Sequence, residues 1–175
     1  MADNMALPLA NQLLECLCDA LATNPNPPAQ CCLRVGDVVY ADFNQFQDQC
    51  CEGLAYVRIA RIFPSHEFPA QLETWTPCTN LQFAVELEMG VFRCEPQQET
   101  VDLPSCDAWT ATATQVANDW EAMTRAACCL DEQLQADPAT RGNPLIMGVW
   151  QPTNSGGGCT GGTLSVIVAT MNCAC

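Results

Sequence analysis

Cysteine dominates the chemistry available to this sequence, because 14 of the 175 residues are cysteines. A thiol can act as a nucleophile, bind a metal ion or form a disulfide. No two of these cysteines have the C-x-x-C spacing of zinc knuckles and thioredoxin-type redox sites. The spacing therefore favours structural disulfides over a metal or redox centre.

The cysteines best placed to form disulfides lie at predicted strand ends and in loops. They are Cys94, Cys106, Cys159, Cys173 and Cys175. Adjacent cysteines rarely bond to each other, because the ring that would close is strained. Each cysteine doublet should therefore reach elsewhere or contribute only one partner. In the helices, Cys18 and one of Cys128 or Cys129 can be explained as small buried apolar residues that form no disulfide.

Few other residues could support catalysis. His66 is the only histidine, and its position between prolines predicts a solvated loop side chain. The chain has no lysine, which excludes a Schiff-base mechanism. Glu86 and Glu88 could form a carboxylate pair, but an exposed strand face explains them with fewer assumptions. We predict no catalytic, cofactor-binding or metal site, and no enzyme.

A glycine-rich segment, residues 156–162, offers backbone amides that could hold a phosphate. Such a loop normally precedes a helix and is accompanied by a lysine. Here a predicted strand follows and no lysine exists. The segment is therefore predicted to be a hairpin loop.

The charge balance excludes several classes of partner. Twenty acidic residues against six arginines give a net charge of −14, so the basic surface that neutralises phosphates is missing. We expect no wrapping of nucleic acid and no membrane binding. An acidic wall could instead let DNA pass without sticking to it.

Hydrophobic periodicity predicts a single α+β domain over residues 1–175, with a mostly antiparallel sheet covered by a long helix. A first helix of about four turns ends before the proline-rich segment at residues 24–28. The element order is α-β-β-β-α-β-β. The predicted strands cover residues 35–41, 54–63, 81–91, 145–150 and 163–171.

Residues 107–134 form the long helix, with Ser105 and Asp107 as candidate N-caps. An apolar stripe with helical spacing runs along its whole length. Its members are Trp109, Ala113, Val116, Trp120, Met123, Ala127, Leu130 and Leu134. A helix lying on the sheet explains this stripe best, and a coiled-coil seam is the alternative.

The N-terminus has no positive region ahead of its apolar stretch, and no apolar run reaches eighteen residues. We therefore expect synthesis and assembly in a host cytoplasm. The cysteine content instead suits an oxidising exterior. A component of a virus particle satisfies both conditions.

Five cysteine-punctuated or distinctive segments, together with the element order, resemble the tail terminator proteins of long-tailed bacteriophages that infect actinobacteria. The segments are residues 31–37, 63–69, 91–96, 158–162 and 173–175. The resemblance implies a small α+β subunit of a hexameric ring in the tail or neck of the virion. Such a ring ends polymerisation of the tail tube and joins the tail to the head. Its implied partners are further copies of itself, the tail tube protein and a neck protein, while DNA passes through without specific binding.

A ring of this kind makes two sets of residues candidates for contact surfaces. The acidic candidates for the lumen or a ring face are Glu86, Glu88, Asp42 and Asp48. The candidates for subunit contacts are the aromatic residues Phe43, Phe46, Phe68 and Trp75.

Other functions remain open at this stage. A head-to-tail stopper or another neck adaptor would belong to the same particle, but stoppers are usually built on a small barrel. A secreted disulfide-rich binding domain would need export, and a thiol-dependent enzyme would need a reactive cysteine.

Overall fold

The structure is a computed structural model that describes residues 6–36, 52–74, 82–96, 103–155 and 158–170. Two helices and six strands account for most of these residues. In chain order they are α1 (Ala6–Ala22), β1 (Gln30–Arg34), β2 (Leu54–Ser65), β3 (Gln82–Cys94), α2 (Cys106–Ala136), β4 (Leu145–Met147), β5 (Gln151–Ser155) and β6 (Cys159–Thr170).

The strands form one mixed sheet in the order β1-β2-β3-β6-β4, with β5 also paired to β6. Only β1 runs parallel to its neighbour, and the other pairs are antiparallel. The strands β4 and β5 share the outer edge of β6, where β5 pairs near its start and β4 near its end. The predicted α+β class, with a mostly antiparallel sheet, is confirmed.

Both helices pack on the same face of the sheet. The alternation in β3 places Val85, Leu87, Met89 and Val91 on this face, and all four are buried in the main core. The buried residues of α1 and of the second half of α2 complete this core. The second half of α2 therefore covers the sheet, as the apolar stripe along the helix predicts.

The first observed strand lies ahead of the one predicted for residues 35–41. The observed β1 ends at Arg34, and Val35 is 91% exposed; residues 37–41 lie outside the described residues. Cys31 and Leu33 both pack against the main core, as alternate residues of a strand do. The sequence does not predict this strand because it has only five residues and one aliphatic side chain, Leu33.

The C-terminal strands also differ from the prediction. The strand predicted for residues 145–150 is split, so that β4 ends at Met147 and an additional strand, β5, begins at Gln151. Strand β6 begins at Cys159, inside the glycine-rich segment. Position 162 within this strand requires glycine, because the Trp150 ring occupies the space that a Cβ would need. Because Ser155 pairs with Cys159, β5 and β6 form a hairpin, but residues 159–162 of the predicted loop belong to strand β6.

Two disulfides fix α1 to its neighbours. Cys16 bonds to Cys129 of α2, and Cys18 bonds to Cys31 of β1. Residues 16 and 18 are about 200° apart around a helix, so they point to different elements. The expectation that Cys18 is a buried apolar thiol is therefore wrong.

Candidate interaction surface

The long helix α2 consists of two halves with different surroundings. From Asp119 onward it carries buried residues that pack on α1 and the sheet, whereas residues 106–118 contain none. The first half measures about 20 Å at 1.5 Å per residue. The stripe that the sequence predicts as core is therefore core only in the second half of the helix.

Two tryptophans of α2 are exposed, Trp109 within the uncovered half and Trp120 just beyond its end. Trp109 is 47% exposed and Trp120 is 45% exposed. They are eleven residues apart, which is close to three full turns, so both lie on one side of the helix. Exposed tryptophans on one helix side are typical of protein contact surfaces rather than of a solvated face.

A groove of about 280 Å³ lies between this half of α2 and the segment that follows β4. We call it the tryptophan groove. Its walls are almost entirely apolar, and it is lined by Ala113, Val116, Ala117, Trp120 and Trp150. Trp150 also packs against the main core, so the sheet holds this wall in place.

The surface around the groove carries little charge. Residues 108–118 contain no ionisable side chain, although the chain as a whole has a net charge of −14. Asp107 lies before this run and Glu121 after it, and both are exposed. This uncharged run is the sequence signal that could have identified the surface before the structure was known.

Two local features hold the uncovered half in position. At its start, the Ser105 hydroxyl accepts a hydrogen bond from the Ala108 amide, so Ser105 is the N-cap. At its end, the Asp119 carboxylate accepts two hydrogen bonds of 2.7 Å from the Arg93 guanidinium of β3. Both side chains are almost fully buried. The pair therefore fixes the point where α2 enters the core.

The predicted acidic residues of β3, Glu86 and Glu88, lie on the face of the sheet opposite α1 and α2. Glu88 forms a two-point ion pair with Arg58, with both N–O distances at 2.8 Å, and accepts a hydrogen bond from the Tyr56 hydroxyl. Glu86 pairs with Arg61. Each of these two carboxylates is therefore paired with an arginine.

Tyr56 belongs to a small second core on this face. Its ring stacks on Phe92 at 5.8 Å between centroids. Burial, followed by the Glu88 charge, raises the pKa of the Tyr56 phenol far above its ordinary value. The hydroxyl therefore serves as a hydrogen-bond donor to Glu88 and has no acid–base role near neutral pH.

A second cleft of about 310 Å³ lies between the end of α1 and the first half of α2. Its lining is polar and includes Asn24, Thr114 and Asn118. Its buried carboxylate, Asp119, is already satisfied by Arg93 and by the Asn24 amide. The one carboxylate that lines the cleft is therefore already paired within the protein.

The disulfide candidates have different outcomes. Cys94 at the end of β3 and Cys159 at the start of β6 are disulfide-bonded. Cys106 is an exposed free thiol, so its predicted disulfide is absent. The reason is that Cys106 begins the uncovered half of α2. Cys173 and Cys175 lie outside the described residues.

Most of the loop candidates cannot be placed. Asp42, Asp48, Phe43, Phe46 and Trp75 lie outside the described residues. Phe68 is half-buried in the turn after β2, and the single histidine, His66, is exposed next to it. Among the described residues, exposed tryptophans lie on α2, at Trp109 and Trp120.

Two other kinds of site are absent from the part of the chain that the structure describes. No cluster of three or more His, Cys, Asp or Glu side chains could hold a metal ion there. No helix there is both long enough and apolar enough to cross a membrane. Neither the family models nor the curated proteins compared with this chain give a match.

Proposed function

We propose that this protein is a structural virion subunit of a long-tailed bacteriophage. It forms a hexameric ring on the end of the tail tube, stops tube polymerisation and joins the tail to the neck. It performs no covalent chemistry. The partners are other copies of the chain, the tail tube protein and a neck protein, and DNA passes through without specific binding.

The observation that carries this proposal is the uncovered half of α2. A chain that leaves two tryptophans about half exposed on one helix side needs a partner to cover them. A structural subunit has such a partner in every neighbouring subunit. The open sheet with helices on one face supports a terminator over a stopper, because stoppers are expected to have a small barrel.

The net charge of the whole chain, and not the charge of any particular residue, supports a channel through which DNA passes. A net charge of −14 would repel a passing duplex. Glu86 and Glu88 do not contribute free charge to this effect, since both are paired with arginines. The acidic lining must therefore come from other carboxylates.

Negative-stain images of the purified protein test the proposal. We expect closed rings with six-fold symmetry and a central hole, and a mass of six subunits by light scattering. Open filaments, or closed assemblies of another number, would contradict the hexameric ring. The same sample mixed with tube protein should show rings at tube ends and shorter tubes.

A further inference from the structure

The two edges of the sheet present different apolar features. The tryptophan groove lies beside the edge formed by β4 and β5, next to α2. At the other edge, β1 is followed by Val35, a large apolar residue that is 91% exposed. One edge therefore presents a concave apolar surface, and the other presents a projecting apolar side chain.

We propose that the tryptophan groove is filled by a second copy of this chain, which inserts Val35 and the end of its β1 edge. This inference rests on the proposed ring and specifies its subunit contact. A closed ring needs a heterologous contact, in which two different surfaces of each subunit meet. Surfaces on opposite edges of the sheet suit such a head-to-tail arrangement.

Charge favours a second copy over another partner. Two proteins of net charge −14 repel each other, so they can approach closely only where charge is absent or complementary. Residues 108–118 are uncharged, which satisfies the first condition. A basic partner would instead gain most from the acidic surfaces and not from this run.

The residues beside the two surfaces are also complementary. Arg34 precedes Val35 and is half-buried at the end of β1, so it brings a positive charge to this edge. Glu121 follows Trp120 and is exposed beside the groove. An ion pair between Arg34 of one copy and Glu121 of the next determines how the two copies align more than how tightly they bind.

The exposed apolar area at the tryptophan groove is large enough for part of a contact between subunits. A buried tryptophan covers roughly 150–250 Å², so each half-exposed one offers on the order of 100 Å². Together with Val149 and Met147, which are exposed beside Trp150, the surface supplies a few hundred Å². A standard interface needs roughly 800 Å² per partner. The groove is therefore the apolar centre of a larger contact.

Two matched substitutions on α2 test the groove. Ala117→Glu places a charge in the groove, and Ala111→Glu places the same charge on the exposed side that faces the polar cleft. Both alanines are exposed, so neither change disturbs the core. We expect A117E to weaken assembly at least 100-fold in a concentration series followed by light scattering, and A111E to assemble like the wild type.

A third variant tests the other edge. Val35→Glu should also abolish assembly, because it charges the inserted side chain. An equimolar mixture of V35E and A117E should give a one-to-one dimer, since one intact groove and one intact Val35 edge remain. Far-ultraviolet circular dichroism and thermal melts must show that all three variants are folded.

The outcomes separate this inference from the proposed function. If A117E still forms six-fold rings, the groove contact is wrong while the ring stands. If the wild type forms open chains or another closed number, and the mixed variants still pair, the contact is right and the hexameric terminator is wrong. A wild type that stays monomeric at every concentration, or a mixture that fails to pair, overturns the inference.

Discussion

At the scale of single residues, the cysteine doublets illustrate how secondary structure selects a disulfide partner. In β1, Cys31 points toward the helices and bonds to Cys18, whereas Cys32 packs in the small core on the other face. In α2, Cys129 faces α1 and bonds to Cys16, whereas Cys128 is exposed and free. Each of these two described doublets therefore contributes one partner, as the strain argument predicts.

The pair Cys128 and Cys129 offers a controlled test of the disulfide contribution. Cys129→Ser should lower the free energy of unfolding by about 2–4 kcal/mol, because it opens the link between α1 and α2. Cys128→Ser should change it by less than about 0.5 kcal/mol, as for an ordinary surface site. Urea unfolding measures both values.

Repeating the unfolding with a reducing agent provides the control. Once the disulfides are reduced, wild type and C129S should have similar stabilities, since the cross-link is then absent from both. Equal losses for C128S and C129S would show that the bond between α1 and α2 is not what stabilises the protein.

At the scale of elements, α2 is one continuous helix that performs two tasks. Its second half closes the core, and its first half carries an exposed apolar surface. The ion pair between Arg93 and Asp119 lies at the boundary and joins α2 to β3. Asn24, just after α1, also donates to Asp119, so three segments of the chain meet at one carboxylate.

Breaking this pair should be costly. Asp119→Asn leaves the Arg93 guanidinium buried without a counter-charge, and we expect a loss of about 3–5 kcal/mol in the free energy of unfolding. Glu86→Gln is the matched control, because its partner Arg61 is about half exposed. That change should cost at most about 1 kcal/mol.

Chemical denaturation followed by circular dichroism compares the two variants. Similar losses for both would mean that burial of the Arg93 and Asp119 pair does not increase its contribution to the free energy of unfolding. A larger loss for E86Q would place the main electrostatic contribution on the face opposite α1 and α2 instead.

At the scale of the whole molecule, net charge opposes self-association while the apolar groove favours it. The Debye length falls from roughly 30 Å at 0.01 M salt to about 10 Å at 0.1 M. Repulsion between subunits of charge −14 should therefore weaken as salt rises. We expect sodium chloride between these two concentrations to strengthen assembly.

Sedimentation velocity at a fixed protein concentration measures this effect. Sodium sulfate at matched ionic strength is a useful control, because it also strengthens apolar contacts. Assembly that weakens as sodium chloride rises would indicate that ion pairs such as Arg34 with Glu121 dominate the contact, and not the uncharged groove.

Much of the fold could be predicted because its signals are local. The alternation from Val85 to Val91 defines β3 and its core face, and the N-cap at Ser105 defines the start of α2. Both patterns depend on neighbouring residues alone. The weakest predictions were β1 and β5, which are short strands at the sheet edges with few apolar residues.

The sequence by itself determined the fold class, the long helix, the excess of acidic charge and the presence of more thiols than folding requires. The tertiary structure alone decided which thiols pair and which half of α2 is left uncovered. The bond between Cys16 and Cys129 joins residues 113 positions apart, so no local pattern can specify it. The exposure of Trp109 and Trp120 likewise depends on where the sheet and α1 stop covering the helix, which is a property of the packed elements and not of the helix's own periodicity.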